Sequence, residues 1–183
     1  MKGAINMDFL VFDFLNSQCF NEKNNMDDAT RKEKINDFLN YYHITLFDIN
    51  SKQLSELYVL YNWIFELLEK ITLHGNLTKE DMDKINLILQ KEKATRQLIK
   101  KGKDYIIETK TKGSGLEHFI HEIVTSFAVT IAEYDQDRIR ICENPQCKWV
   151  FYDKSKSKTK RHCDSRCANL MKVRRYRKKQ LKD

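Results

Sequence analysis

Apolar residues recur at three- and four-residue steps through much of the first 134 residues, a period typical of amphipathic α-helices. The clearest stretch opens at Ser51, carries its apolar positions on one face, and ends near Gly75, which suits a helix C-cap. Thr78 is a good N-cap for the helix that follows, whose apolar stripe includes Met82. The pattern predicts helices over residues 30–42, 51–75, from 78 onwards, and 115–134.

Other segments of the chain have different patterns. Residues 96–108 form two β-prone runs on either side of Gly102, which predicts a β-hairpin. The apolar opening, residues 8–17, is compatible with a short buried strand or with a helical turn, and the pattern does not decide between them. Polar residues at 21–29 and 110–114 predict loops.

Four cysteines lie near the end of the chain in the spacing C-x4-C, fifteen residues, C-x3-C. Two close pairs separated by a loop are typical of a tetrahedral four-thiolate zinc site, and four sulfurs leave no open position for catalysis. We therefore predict one structural Zn²⁺ ion held by Cys142, Cys147, Cys163 and Cys167. His162 is an alternative ligand, although four thiolates already complete the coordination. The lone Cys19 is predicted to be a small, semi-buried apolar residue.

The residues around these cysteines predict a small module of their own. Alternating residues at 138–141 and the apolar run 150–152 predict two short strands, and Asp164 and Ser165 suit the start of a terminal helix. The predicted fold class is α+β. It combines a mainly helical N-terminal domain with a small β-hairpin, residues 1–137, and a C-terminal treble-clef-like zinc finger that ends in a basic helix, residues 138–183.

The positive charge of the chain is concentrated in this module. Residues 138–183 hold 16 of the 33 Lys and Arg residues but 4 of the 26 Asp and Glu residues, a net charge of +12 where the whole chain has +7. This asymmetry indicates an acidic body and a nucleic-acid-binding end, although charge alone does not distinguish DNA from RNA. The predicted nucleic-acid contacts are Lys156, Lys158, Lys160, Arg161, Arg166, Lys172, Arg174, Arg175, Arg177 and Lys178.

Two further expectations concern the inside of the module. Trp149 and Phe151 are expected to form its small core, with base stacking as the alternative for these two residues and for Tyr152. The lysine-rich segment 154–161 is expected to be a basic loop without regular structure.

Several function classes are not indicated. No run of about 18 apolar residues is present and no basic n-region opens the chain, so we expect a cytoplasmic protein without membrane contact. No catalytic arrangement is convincing, so we do not predict an enzyme.

His118 and His121 share a helix face but lack a third ligand, so a partly exposed, unliganded pair is expected. Asp13 and Asn16 are predicted to satisfy main-chain groups, with a ligand pocket as the alternative.

Residues 138–155 and 160–177 resemble the bacterial CGNR-type zinc finger, which is named for a Cys-Gly-Asn-Arg run at the last metal ligand. Here the run is Cys167-Ala168-Asn169-Leu170, so the Cys and Asn match whereas the Gly and Arg do not. Residues 12–17, Phe-Asp-Phe-Leu-Asn-Ser, are similar to the opening Leu-Asp-Phe-x-Asn-Thr motif of the ABATE domain, which usually precedes this finger.

The resemblance implies a stress-responsive bacterial transcription regulator that binds duplex DNA. Its body domain would sense a small-molecule effector or mediate assembly. A homodimer would agree with the paired half-sites that many DNA-binding proteins read. An RNA-binding or ribosome-associated zinc protein is the alternative, because a basic zinc module is suited to either nucleic acid.

Overall fold

The helices predicted from apolar periodicity are present in the computed structural model of the protein, which describes residues 9–21, 25–44, 49–91, 94–111 and 113–180. The elements in chain order are α1 (Leu10–Asn16), α2 (Asp28–Tyr41), α3 (Ser51–His74), α4 (Lys79–Leu89), β1 (Ala94–Lys101), β2 (Asp104–Thr111), α5 (Gly115–Glu133), β3 (Ile139–Ile141), β4 (Val150–Tyr152) and α6 (Ser165–Gln180). The strands form two separate antiparallel pairs, β1 with β2 and β3 with β4. The predicted α+β class is confirmed.

The first helix lies in the middle of the core, which explains why its apolar pattern is continuous. Leu10, Phe12 and Phe14 are buried, and α1 packs against α3, α5 and β4. The helical alternative for the opening segment is therefore correct. A helix of seven residues is too short to be stable by itself, so burial against the other elements decides its conformation.

The long helix α3 has the limits that its end signals predict. The Asn50 side chain accepts a hydrogen bond from the Gln53 N–H at 2.9 Å, and the Gln53 side chain accepts one from the Asn50 N–H at 3.1 Å. At the other end Gly75 has φ of +74°, a left-handed conformation that favours glycine. None of the described helices is long and apolar enough to cross a membrane.

The helix α4 is joined to α3 through one carboxylate. Asp81 forms a reciprocal capping box with Thr78 and accepts from the Lys70 ammonium on α3 at 2.7 Å. Ile85 is buried as expected, but Met82 is 48% exposed, so its assignment to the buried stripe was wrong. Met82 borders an open groove between α4 and α5, together with Ile85 and Ala128.

The predicted β-hairpin is present and extends beyond the predicted limits. Lys101 pairs with Asp104 across a turn in which Gly102 has φ of +67°. The second strand continues to Thr111, so the predicted linker at 110–114 was wrong at its first two positions. The predicted loop at 21–29 was also too long, because Asp27 caps α2 and the helix begins at Asp28; residues 22–24 lie outside the described part.

The helix α5 supplies the other large face of the core, with Phe119, Ile123 and Phe127 fully buried. It also corrects the expectation for the two histidines. His118 is half-buried, but His121 is buried, and its Nε2 lies 3.4 Å from the main-chain oxygen of Leu89. Cys19 is fully buried rather than semi-buried.

The strands of the C-terminal module pack directly on the helical body. Ile139 and Val150 are each 1% exposed and belong to the same apolar cluster as the core of the body. Tyr152 lies against Phe9, with 5.8 Å between the ring centroids. The division of the chain at residue 137 or 138 remains a prediction, since the apolar packing is continuous across it.

Candidate metal centre and basic surface

The four predicted cysteines come together at one point. Their sulfur atoms all lie within 4.8 Å of one another, with 3.7 Å between Cys147 and Cys163 and 3.8 Å between Cys163 and Cys167. A tetrahedron with zinc–sulfur bonds of about 2.3 Å has edges of about 3.8 Å. The donor set and its dimensions therefore fit one structural Zn²⁺ ion. No other cluster of potential metal ligands occurs in the described part of the chain.

The first pair of sulfurs is positioned by the β3–β4 hairpin. Cys142 directly follows β3, and its N–H donates to the main-chain oxygen of Trp149 at 2.8 Å. Cys147 closes a turn by donating its N–H to the main-chain oxygen of Asn144 at 2.9 Å. Lys148 then adopts φ of +55° and turns the chain into β4. This is the knuckle that the spacing of the first pair predicts.

The second pair lies at the start of α6. Cys167 is in the first turn of the helix, and Cys163 precedes the helix by two residues. Asp164 caps this turn, because its carboxylate accepts from the Cys167 N–H at 2.8 Å. The metal site therefore fixes the position and direction of the basic helix relative to the knuckle.

Asn144 supports the metal site and was not singled out by the sequence, where it indicated only a turn before Pro145. Its side chain is buried and donates to the Cys167 sulfur at 3.4 Å. This hydrogen bond lowers the pKa of the Cys167 thiol, whereas burial raises the pKa values of Cys147 and Cys163. Hydrogen bonds to a ligand sulfur orient it and tune the site.

The lysine-rich segment 154–161 is a loop without helix or strand, as predicted, and hydrogen bonds to the buried Asp153 hold it in place. Its carboxylate accepts from the N–H of Ser155 at 2.8 Å and from the N–H of Lys160 at 2.9 Å. Arg138 donates to the main-chain oxygens of Asp153 and Ser155, each at 2.8 Å. The hydrogen bonds from Ser155 and Lys160 hold the pKa of Asp153 at about 2, below its usual range.

Half of the ten predicted nucleic-acid contacts have partners within the protein. The ion pairs are Lys158–Asp135 at 2.5 Å, Arg161–Glu143 at 2.6 Å and Arg166–Asp164 at 3.0 Å. Arg174 donates to the Gln146 side chain at 2.6 Å, and the Lys160 ammonium lies 5.3 Å from the centroid of the Phe151 ring. The side chains of the other five form no ion pair or hydrogen bond with a described residue: Lys156, Lys172, Arg175, Arg177 and Lys178.

The prediction that Trp149 belongs to the core of the module was wrong, because its side chain is 43% exposed. Phe151 is half-buried beneath Lys160. Apart from the metal ligand Cys142, the buried apolar residues in the described part of the module are Ile139 and Val150, which belong to the apolar cluster of the helical body. A module this small has too little apolar surface to enclose a core of its own, so it shares one with the body.

Asn16 connects the body to the metal module through an edge strand. Its Nδ2 donates to the main-chain oxygen of Val150 and its Oδ1 accepts from the Val150 N–H, both at 2.8 Å. Asp13 accepts a hydrogen bond from the Tyr42 hydroxyl. Both residues also border an open groove of about 500 Å³ beside Trp149. The main-chain role predicted for Asn16 is present, whereas the ligand pocket stays a prediction.

Comparison with known proteins agrees with the metal site. A search of curated proteins finds no match for the chain. The likeness of the N-terminal part to an ABATE domain stays a prediction. Residues 138–180 match the model of the CGNR zinc finger family. The matched segment contains all four clustered cysteines, the lysine-rich loop and α6.

Proposed function

We propose that the protein is a zinc-dependent DNA-binding protein that regulates transcription in bacteria. The observation that carries this proposal is the composition and exposure of α6. Its sixteen residues include seven Lys or Arg and no Asp or Glu, and none of them is buried. A helix that serves only as a solvated surface usually carries both signs of charge. This helix therefore offers a continuous positive surface to a phosphate backbone.

The arrangement of the cations suits a helix that contacts duplex DNA. Lys172, Arg175 and Lys179 recur at three- and four-residue steps, so they share one face of α6. Arg174 points back to the knuckle and holds the helix in place through Gln146. An α-helix fits the major groove of DNA, and Lys or Arg contacts to phosphates supply affinity that depends strongly on salt.

The zinc ion supports this role by placing the helix, with no part in chemistry. Four thiolates complete the coordination, so no open position remains for a substrate. We therefore propose a binding role and not an enzymatic one. In the same proposal the helical body senses a small-molecule effector or mediates assembly, including formation of a homodimer.

The test is a salt titration of binding to random-sequence duplex DNA, with and without a zinc chelator. We expect steeply salt-dependent binding that is lost when zinc is removed. The double variant Lys172→Gln/Arg175→Gln should flatten the slope of log affinity against log salt by ~1.8, because each phosphate contact contributes ~0.9. The matched control, Lys52→Gln/Lys79→Gln, removes the same charge from exposed positions of the body.

An equal effect of the two double variants would show that binding reflects net charge and not α6. Competition with duplex RNA and single strands completes the test. Stronger competition by RNA than by DNA would replace the DNA assignment with the RNA-binding alternative.

A further inference from the structure

A cleft of about 530 Å³ separates the C-terminal half of α3 from the metal module. One wall is formed by α3 and carries Glu69, Thr72 and Leu73. The opposite wall carries five cationic side chains: Arg140, Lys148, Lys158, Lys160 and Arg161. These come from β3, the knuckle and the ordered loop, so separate parts of the module direct positive charge to the same space. The size is ordinary for a small-ligand site.

The charge of this cleft is only partly neutralised within the protein. Its lining holds five cations against two carboxylates, a net charge of +3. Arg161 is paired with Glu143, and Lys158 is paired with Asp135. The remaining three cations of the lining have no carboxylate in ion-pair distance among the described residues: Arg140, Lys148 and Lys160.

Arg140 is the most constrained of these three cations. Its Nη2 donates to the main-chain oxygen of Lys158 at 2.9 Å, which holds the guanidinium in place. Its Nε is buried and has no hydrogen-bond partner among the described residues. The guanidinium also lies near the carboxylates of Glu143 and Asp153 and lowers the pKa of each, although it forms no ion pair with either. Because the lining as a whole keeps a net positive charge, Arg140 and the two lysines would together attract a multiply charged anion.

The cleft also has a surface that a simple inorganic anion would not use. Leu73 is 73% exposed and Ile141 is half-buried, and both border the cleft. Thr72 and Thr159 line it as well, and their hydroxyl groups are hydrogen-bonded to Glu69 and Ser157. Cations beside an apolar patch match a molecule that joins phosphate groups to a sugar and a base.

We propose that this cleft binds a nucleoside phosphate, with the phosphates on Arg140, Lys148 and Lys160 and the base against Leu73. This site is separate from the exposed face of α6, so the inference does not depend on the proposed function. A free nucleotide and the terminal nucleotide of a strand share this chemistry.

Calorimetric titration of the zinc-loaded full chain, at fixed ionic strength, tests the proposal. ATP, pyrophosphate and adenosine are the probes. We expect ATP to bind more tightly than pyrophosphate and adenosine to bind much more weakly than either. Lys148→Gln and Lys160→Gln should each weaken ATP binding about tenfold, because each removes one charge-assisted contact.

Two further variants separate a specific site from general attraction. Lys154→Gln is the matched control, since Lys154 is exposed in the same loop and does not border the cleft; ATP affinity should not change. Leu73→Ser should weaken ATP binding and leave pyrophosphate binding unchanged. The proposal is overturned if ATP does not bind, or if Lys154→Gln weakens ATP binding as much as Lys160→Gln does.

The source of the nucleotide is resolved by oligonucleotides. A single strand with a 5′ phosphate that displaces ATP, where the same strand with a 5′ hydroxyl does not, identifies a strand end as the ligand. Equal competition by the two strands leaves the free nucleotide as the ligand. The double variant Lys172→Gln/Arg175→Gln should retain full ATP affinity, so loss of DNA binding and loss of nucleotide binding are distinguishable.

Discussion

Removing the Asn16 side chain should loosen the metal module from the helical body. Asn16→Ala deletes two hydrogen bonds of 2.8 Å to the main chain of Val150. Val150 is 1% exposed and lies in an edge strand, so its N–H and C=O groups would lose their partners where water has little access. Each buried main-chain group left without a partner costs about 1–3 kcal/mol.

The expected loss for the two groups together is about 2–4 kcal/mol. This is below twice the upper limit for one group, because Asn16 is half-buried and water can reach the position that its side chain leaves. This is a large effect for a domain whose stability is about 5–15 kcal/mol. The loss should appear first at β4, since the neighbouring contacts of Ile139 and Tyr152 with the body remain. We therefore expect local opening of the module before global unfolding.

The assay combines urea denaturation of the zinc-loaded protein with amide hydrogen exchange at Val150. Asp13→Asn is the matched control, because Asp13 borders the same groove but accepts its hydrogen bond from Tyr42, whereas Val150 in β4 bonds to Asn16. The reasoning would be refuted if Asn16→Ala stayed within about 0.5 kcal/mol of the wild type and the Val150 amide remained protected.

Three further predictions concern other parts of the fold. Hydrogen bonds from Lys70 lower the pKa of Asp81 in the folded protein. The contribution of Asp81 to the free energy of unfolding is therefore complete above the pKa of the unfolded chain, about 3.9, and is lost as pH falls through the lower pKa of the folded protein. Asp81→Asn should lower the free energy of unfolding by about 0.5–1 kcal/mol at pH 7. In urea denaturation, the difference between wild type and variant should disappear below about pH 4, and a difference that does not change with pH would contradict this prediction. Cys163→Ser should abolish zinc binding and amide protection in the module while α3 and α5 stay protected, and a zinc-loaded variant with native exchange would exclude this. Gly75→Ala should cost about 1 kcal/mol in thermal unfolding, with a smaller cost for Gly75→Asn; equal stability of all three would show that the left-handed cap is unnecessary.

Local signals in the sequence determined the metal ligands and most of the helices. The spacing of the four cysteines is a property of short chain segments, and it identified a set of sulfurs that lie within 4.8 Å of one another. The limits of α3 follow from a cap at each end and an apolar face in between. Such features depend on residues within one or two turns, so periodicity and capping chemistry are sufficient to predict them.

Only the tertiary structure decided how these parts fit together. The opening segment is a helix because other elements surround it, and Asn16 matters because it meets Val150, 134 positions away. The exposure of Trp149 and the order imposed by Asp153 likewise depend on contacts between distant segments. The sequence identified the basic residues of the module, but ion pairs and hydrogen bonds between folded segments decide which of them remain available to a ligand.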